Sequence, residues 1–148
     1  MFQKMMDKSV AKSPWLLHVN AGSCNGCDIE IVAALTPRYD AERLGFRLAG
    51  SPRQADIVVV SGPVTRQTRD RVIRTIAQVP EPRVIVSIGS CPRSGNVFKG
   101  SYAIDGPLEK WVHVDVAVAG CTPKPEAIMA GLAKATEILK EKRKEMRK

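Results

Sequence analysis

The sequence has few of the features that mark secreted or membrane-spanning proteins. It holds only four cysteines in 148 residues, far below the density of a small secreted disulfide scaffold. Its N-terminus lacks the apolar stretch of a signal peptide. No run approaches the ~18 uncharged apolar residues that a membrane span needs. We therefore expect a reduced, cytoplasmic protein that meets a bilayer only through partners or a surface contact.

Aromatic residues are scarce, at 5% of the chain, and do not alternate with the basic residues. Nucleic-acid binding is therefore disfavoured despite the net charge of +8. The excess charge lies at the ends, because residues 1–13 hold three Lys and one Asp and residues 134–148 hold seven Lys/Arg and three Glu. Between them, 13 basic and 11 acidic residues nearly cancel. We interpret the basic ends as docking surfaces for a partner or for anionic lipid.

The length suits one domain, by the usual ~150 residues per domain. We divide the chain into an N-terminal docking segment (1–12), an α/β domain (13–139) and a basic C-terminal helix end or tail (140–148). The first segment has three apolar residues at helical spacing, which suit an amphipathic docking element, the alternative being a frayed terminus: Phe2, Met5 and Met6.

Short apolar runs alternate with helical patterns along the domain. Runs that are rich in β-branched residues, or that alternate with polar residues, predict five strands: 15–17, 44–48, 57–60, 84–88 and 112–118. Apolar spacing predicts helices over 65–79 and around a C-terminal stripe of Ile128, Leu132, Ala135 and Leu139. This alternation predicts a three-layer α/β fold with a mostly parallel sheet.

Each cysteine follows a predicted strand. Cys24 and Cys27 follow the first strand, Cys91 follows the strand at 84–88, and Cys121 follows the strand at 112–118. The carboxyl ends of parallel strands share the edge where open α/β folds bind ligands. Each loop also carries a glycine that allows close approach to a bulky ligand: Gly22, Gly89 and Gly120.

Four thiolates at one edge suit a soft metal centre. Structural zinc sites usually take two close cysteine pairs, whereas here one Cys-x-x-Cys pair is joined by two single cysteines, as in an iron–sulfur cage. An iron–sulfur cluster is therefore favoured. Three alternatives to a cluster remain: a zinc site, a redox-active thiol pair, or cysteines that are simply buried. A flavin is disfavoured because the loops lack a Ser/Thr-rich phosphate cradle.

Residues 22–30, Gly-Ser-Cys-Asn-Gly-Cys-Asp-Ile-Glu, resemble the signature of the small subunit of membrane-bound, energy-converting nickel–iron hydrogenases. Further motifs follow in the order seen in that family and in the related cluster-bearing 20 kDa subunit of respiratory complex I: 36–43, 50–56, 61–65, 89–91 and 120–121. The resemblance covers about residues 13–139. The complex I subunit typically has two adjacent cysteines at the first site, so the spacing of Cys24 and Cys27 favours the hydrogenase branch. Thr122 stands where relatives commonly have a second proline.

The resemblance implies a flavodoxin-like domain in which Cys24, Cys27, Cys91 and Cys121 ligate one proximal 4Fe–4S cluster at the carboxyl ends of the strands. The chain itself would have no catalytic site. The implied partners are a large subunit with the nickel–iron centre, a polyferredoxin subunit and membrane-arm subunits, assembled peripherally at the cytoplasmic face of the cell membrane. Electrons would pass between a ferredoxin-linked relay and the nickel–iron centre, coupled to ion translocation.

Two other functions stay open. The same subunit could serve a related complex that reduces sulfur compounds or a quinone, because those complexes differ mainly in the partner. A zinc-stabilised α/β interaction module is the alternative from another class.

Several polar residues near the motifs are secondary candidates. Asp28 and Glu30 fall in the first turn of a helix, where carboxylates complement the dipole, and a buried charge there would lower a cluster's reduction potential. Glu30 is also a candidate for the interface with the large subunit. The resemblance places Arg38 near the cluster and the partner, the alternative being a surface pair with a neighbouring carboxylate. We interpret His18 and His113 as structural histidines.

Overall fold

The computed structural model describes residues 13–146, so the predicted docking segment at 1–12 lies outside the described residues. In chain order the elements are β1 (Trp15–Asn20), α1 (Gly26–Leu35), β2 (Arg47–Leu48), β3 (Ile57–Ser61), β4 (Val64–Thr65), α2 (Arg69–Ala77), β5 (Val84–Ile88), α3 (Cys91–Ser94), β6 (Ile104–Gly106), β7 (Val116–Val118) and α4 (Pro125–Glu145). No helix among these residues is both long and apolar enough to cross a bilayer.

Five strands form one parallel sheet in the order β2-β1-β3-β5-β7. Counted among themselves, these strands have the order 2-1-3-4-5, which is that of flavodoxin-like folds. The remaining two strands, β4 and β6, pair antiparallel in a separate ribbon. The predicted flavodoxin-like α/β fold is confirmed.

The sheet buries apolar side chains on both faces. In β3, Ile57 and Val59 belong to the core on the side of α1 and α4, whereas Val58 and Val60 belong to the core on the side of α2. This alternation follows from the two-residue period of a strand. The predicted stripe of α4 is fully confirmed as core: Ile128, Leu132, Ala135 and Leu139.

The predicted strand at 112–118 is shorter in the structure, where β7 begins at Val116. Val112 and Val114 are half-buried against the α2 side of the core without pairing in the sheet. The backbone N–H groups of Trp111 and Val112 instead donate to the carbonyl of Leu108, at distances of 2.9 and 3.0 Å. The alternating valines therefore reflect packing of an irregular segment as well as a strand.

The predicted helix at 65–79 is also shorter, because α2 spans only Arg69–Ala77. Thr65 instead belongs to β4, and its hydroxyl lies 2.7 Å from that of Thr68 at the start of the helix. Val72 and Ile76 are buried as predicted, and Val79 is buried just beyond the end of the helix.

The helix α4 passes the predicted boundary at residue 139 without a break. Arg143 Nη2 lies 2.6 Å from Asp56 Oδ1, and Asp56 Oδ2 accepts a 3.0 Å hydrogen bond from the backbone N–H of Trp15. Both side chains of this ion pair are largely buried, with 14% and 16% exposure. The pair therefore joins the end of α4 to the starts of β1 and β3.

Lys142 makes a second link of the same kind. Its Nζ lies 2.6 Å from Asp115 Oδ1 and donates to the carbonyl of Arg83 at 3.0 Å. Asp115 Oδ2 in turn accepts from the backbone N–H of Ile85 at 2.8 Å. The interpretation of the basic end as a docking surface is therefore wrong for Lys142 and Arg143, which bind the amino edge of their own sheet.

The contact between α4 and β7 leads to a first prediction. A Cβ at Gly131 would lie 2.3 Å from Val118 Cγ2. We expect Gly131→Ala to lower the free energy of unfolding by about 1–2 kcal/mol, because overpacking outweighs the gain in helix propensity. Denaturant unfolding measures this change. The control is Gly50→Ala, where no atom lies within 4 Å of the added Cβ; equal effects of the two substitutions would contradict the prediction.

The Arg143–Asp56 pair leads to a second prediction. Removing one partner of a largely buried pair leaves the other charge uncompensated, so Arg143→Ala and Asp56→Ala should each cost roughly 2–3 kcal/mol of unfolding free energy. The double variant should cost clearly less than the sum. Lys140→Ala is the control, because Lys140 is an exposed basic residue of the same helix. Strictly additive losses would show that the pair does not act as a unit.

Candidate metal centre

Three loops at the carboxyl edge of the sheet carry the cysteines. Cys24 lies between β1 and α1, and Cys27 lies in the first turn of α1. Cys91 is the first residue of α3, directly after β5, and Cys121 lies between β7 and α4. The structure thus places all four at strand ends on one edge, as the sequence predicts.

Backbone hydrogen bonds join the loops of Cys91 and Cys121. The N–H of Gly89 donates to the carbonyl of Val118 at 2.8 Å, and the N–H of Ser90 donates to the carbonyl of Gly120 at 2.9 Å. These bonds extend the pairing of β5 with β7 beyond the ends of the strands. The two single cysteines therefore lie on loops that are joined by backbone hydrogen bonds.

Two glycines let the loop of Cys24 and Cys27 approach the other loops. A Cβ at Gly89, whose φ is +92°, would lie 2.7 Å from Cys27 Sγ. A Cβ at Gly26 would lie 2.7 Å from Cγ2 of Thr122, the residue after Cys121. Any side chain at either position would force the loops apart. The cysteine-bearing loops therefore meet at one point.

The four thiols differ in burial and influence one another. Cys27 and Cys91 are buried, with 7% and 8% exposure, whereas Cys24 and Cys121 are exposed. Burial, together with the nearby thiols of Cys91 and Cys24, raises the pKa of Cys27 to about 11. Burial also raises the pKa of Cys91, with Cys121 adding to the effect. Four thiolates at this point would repel one another, so their joint ionisation needs a cationic group among them.

The spacing of the side chains bears on the kind of metal centre. Within residues 13–146, no three Cys, His, Asp or Glu side chains lie close enough together to hold a single metal ion. A tetrahedral zinc site brings its thiolates to roughly 3.8 Å from one another, because each Zn–S bond is ~2.3 Å. An iron–sulfur cluster is a larger body. The all-sulfur donor set fits the iron ions of such a cluster.

A hydrogen-bond network lies beneath the first cysteine loop. Asp28, in the first turn of α1 as predicted, accepts hydrogen bonds from Asn20 Nδ2 at 2.8 Å and from Ser61 Oγ. His18 Nε2 lies 2.9 Å from Asp28 Oδ1 and 3.0 Å from Ser61 Oγ. The interpretation of His18 as a structural histidine is confirmed.

The other secondary candidates are not part of this network. Glu30 lies beyond the first turn of α1, so the prediction that it falls in that turn is wrong. It is half-buried and takes part in none of the side-chain hydrogen bonds or ion pairs of the described chain. Arg38 is exposed, and its guanidinium lies 5.8 Å from the centre of the ring of Tyr39. His113 is 86% exposed and lies 3.7 Å from Asp115, so it is a surface residue. The roles of Glu30 and Arg38 at a partner interface stay predictions.

Sequence reasoning missed Asn20 and Ser61. Asn20 ends β1, and its Oδ1 accepts from the backbone N–H groups of Gly22 and Ser23, at 2.9 and 2.8 Å. An asparagine just before a glycine turn is a known signal for this kind of turn. Ser61 begins the motif at 61–65, but its contact with Asp28 could not be foreseen, because that contact depends on the pairing of β1 with β3.

The model of the family described as NADH ubiquinone oxidoreductase, 20 Kd subunit, matches residues 24–135. Among curated relatives, the chain is 55% identical to a probable membrane-bound hydrogenase subunit mbhJ of Pyrococcus furiosus over 132 residues, which cover 89% of this chain and 79% of that protein. It is 42% identical to formate hydrogenlyase subunit 7 of Escherichia coli over 135 residues, covering 91% of this chain and 53% of that protein.

The fold is also similar to that of a chain in the structure of a membrane-bound sulfane sulfur reductase, an archaeal respiratory membrane complex. The TM-score is 0.81 at 37% sequence identity, and the match covers 95% of this chain and 77% of that chain. The residues matched by the family model include Cys24, Cys27, Cys91 and Cys121. This chain belongs to the family of the 20 Kd subunit of NADH ubiquinone oxidoreductase.

Proposed function

We propose that this chain is the electron-transfer subunit of a membrane-associated hydrogenase complex and that its four cysteines hold one 4Fe–4S cluster. The observation that carries the proposal is the meeting of three cysteine loops at one edge of the sheet, in a chain that is 55% identical to a probable membrane-bound hydrogenase subunit. When bound, the cluster supplies one-electron transfer and no bond-making chemistry.

The residues of the chain would hold the cluster on two sides. Cys27 and Cys91 are buried against the sheet, so their thiolates would anchor the cluster away from water. Cys24 and Cys121 lie on the exposed side, where electrons would enter or leave. The chain then acts as a redox subunit, and the reaction with hydrogen takes place in another subunit.

Exposed apolar side chains near the cysteine loops support a partner at this edge. Ile29 and Val32 of α1 are 66% and 60% exposed, and Val97 and Phe98, just after α3, are 77% and 38% exposed. Large apolar side chains grouped on a surface mark interfaces between proteins. We assign this surface to the large subunit with the nickel–iron centre. The polyferredoxin and membrane-arm subunits complete the complex at the cytoplasmic face of the membrane.

The similarity to a chain of the sulfane sulfur reductase complex favours a second candidate, the same subunit in a sulfur-reducing complex. The two candidates differ in the catalytic partner. Purified complex that evolves hydrogen from a reduced ferredoxin supports the hydrogenase. Complex that reduces a sulfane sulfur compound and evolves no hydrogen supports the alternative.

The composition of the cofactor is the third prediction. After anaerobic reconstitution, the full chain should contain about four iron and four sulfide per molecule, because four thiolates suit one 4Fe–4S cluster. Metal and acid-labile sulfide analysis measures this. Cys91→Ser should lose most of the cluster, because a serine oxygen is a poor ligand for this soft centre.

A matched control for that variant is Ser90→Ala, which alters the adjacent residue and leaves the four thiols intact. Ser90 Oγ contributes only a 3.3 Å hydrogen bond to the carbonyl of Gly120, so the control should keep most of its iron. Bound zinc without sulfide in the unaltered chain would refute the cluster and support the zinc-stabilised module.

The unequal burial of the thiols leads to a fourth prediction. In the folded chain without metal, iodoacetamide should modify Cys24 much faster than Cys27, because Cys24 is exposed and the pKa of the buried Cys27 is raised to about 11. A thiol with that pKa is only ~0.1% ionised at pH 8, against ~25% for an ordinary thiol of pKa ~8.5. Peptide mass spectrometry gives both rates. The difference should vanish in denaturant, and equal rates in the folded chain would contradict the burial pattern.

A further inference from the structure

We propose that Asn20 and Asp28 act as a pair of positioning residues, whose directional hydrogen bonds hold the backbone before Cys24 in place relative to Cys27. The inference rests on the proposed cluster for its functional consequence. The pair itself is observed directly: Asn20 Nδ2 donates to Asp28 Oδ2 at 2.8 Å. Asn20 closes β1 and Asp28 follows Cys27 on α1, so the bond spans the loop that carries both cysteines.

On the loop side, the asparagine acts as an acceptor. Its Oδ1 accepts from the backbone N–H groups of Gly22 and Ser23, at 2.9 and 2.8 Å. These two residues directly precede Cys24. The loop has a further bond, from the N–H of Asn25 to Ser23 Oγ at 3.0 Å. Asn20 therefore fixes the position of the backbone that leads into Cys24.

On the helix side, the aspartate is held by the two central strands. Its Oδ1 accepts from Ser61 Oγ of β3 and lies 2.9 Å from His18 Nε2 of β1, and its Oδ2 takes the bond from Asn20. Its side chain is 15% exposed. Each oxygen thus has a separate set of partners, which leaves the carboxylate one orientation.

The bonds have a fixed direction because of the chemistry at each end. The loop N–H groups can only donate, so they require an oxygen from residue 20. The carboxylate of Asp28 can only accept, so it requires an N–H from residue 20. An amide is the side chain that supplies both. The order of loop N–H donor, bridging amide and carboxylate acceptor is therefore specified along the whole chain of bonds.

This direction makes the proposal testable by exchanging the two side chains. In Asp28→Asn, an amide oxygen that stays on Ser61 Oγ and His18 Nε2 leaves the new amide nitrogen facing Asn20 Nδ2. Two donors then meet, and Asn20 relieves the repulsion only by turning over, which loses the loop bonds. In Asn20→Asp, two carboxylates face each other. In the double variant Asn20→Asp/Asp28→Asn, the carboxylate at position 20 accepts from the loop and from the amide at position 28, while the amide oxygen still faces Ser61 and His18.

The first measurement needs no cluster. Hydrogen exchange of the Gly22 and Ser23 amides in the folded chain without metal should be about tenfold faster in each single variant, because two facing amide nitrogens or two facing carboxylates repel and turn the side chain of residue 20 away from the loop N–H groups. In the double variant it should return to within about twofold of the unaltered chain. Double-variant exchange as fast as that of the single variants would overturn the proposal, whether or not the chain binds a cluster.

The second measurement asks whether the pair serves the cluster. Iron release to a chelator from the reconstituted full chain should be faster in both single variants and close to normal in the double variant. The midpoint potential should rise in Asp28→Asn, which removes a negative charge near Cys27, and return towards normal in the double variant, which restores one charge to the pair. Hydrogen exchange could be restored in the double variant while iron release and midpoint potential stay unchanged in every variant. That result would show that the pair is purely structural and would overturn its proposed role towards the cluster.

Glu30→Gln is the matched control. Glu30 lies three residues after Cys27, and its side chain takes part in none of the hydrogen bonds or ion pairs of the described chain. The substitution therefore removes a negative charge near the loop without removing a hydrogen bond. Exchange at Gly22 and Ser23 should stay unchanged in this variant. Faster exchange there would mean that loss of charge alone loosens the loop, which would overturn the role assigned to bond direction.

Discussion

The candidate site depends on the parallel pairing of β1, β3, β5 and β7. Parallel pairing puts the carboxyl end of every strand at the same edge, so loops that are 64 and 30 residues apart in the chain, from Cys27 to Cys91 and from Cys91 to Cys121, reach one point. An antiparallel partner at any of these positions would send its loop to the opposite edge. The pairing of β5 with β7 even continues past the strands, through the bonds of Gly89 and Ser90.

The two edges of the sheet are stabilised by different kinds of interaction. At the amino edge, Lys142 and Arg143 form ion pairs with Asp115 and Asp56, which in turn accept from the backbone of β5 and β1. At the carboxyl edge, Asp28 takes its hydrogen bonds from the amide of Asn20 and the hydroxyl of Ser61, and it lies beside His18. A bound metal centre would supply the positive charge that favours ionisation of the four thiols.

The sequence was sufficient for the fold class and for the location of the cysteines, because β-branched runs and strand-end positions are local patterns. It predicted the core stripe of α4 correctly. It failed for the segment from Val112 to Val114, since a valine that packs from an irregular segment looks the same as one in a strand. It also failed for the basic end of α4, because the carboxylates that bind Lys142 and Arg143 lie 27 and 87 residues away in the chain.

Contacts between residues that are distant in the chain also explain why the residues around the thiols were harder to predict than the thiols themselves. A cysteine has few roles, and four of them at strand ends restrict the chemistry. Ser61 and His18 have many possible roles, and only the register that pairs His18 with Val59 and Asn20 with Ser61 brings their side chains to one carboxylate. Under the proposed function, a hydrogenase and a sulfur reductase would use the same electron path through this chain. The difference in reaction would then lie in the catalytic partner subunit.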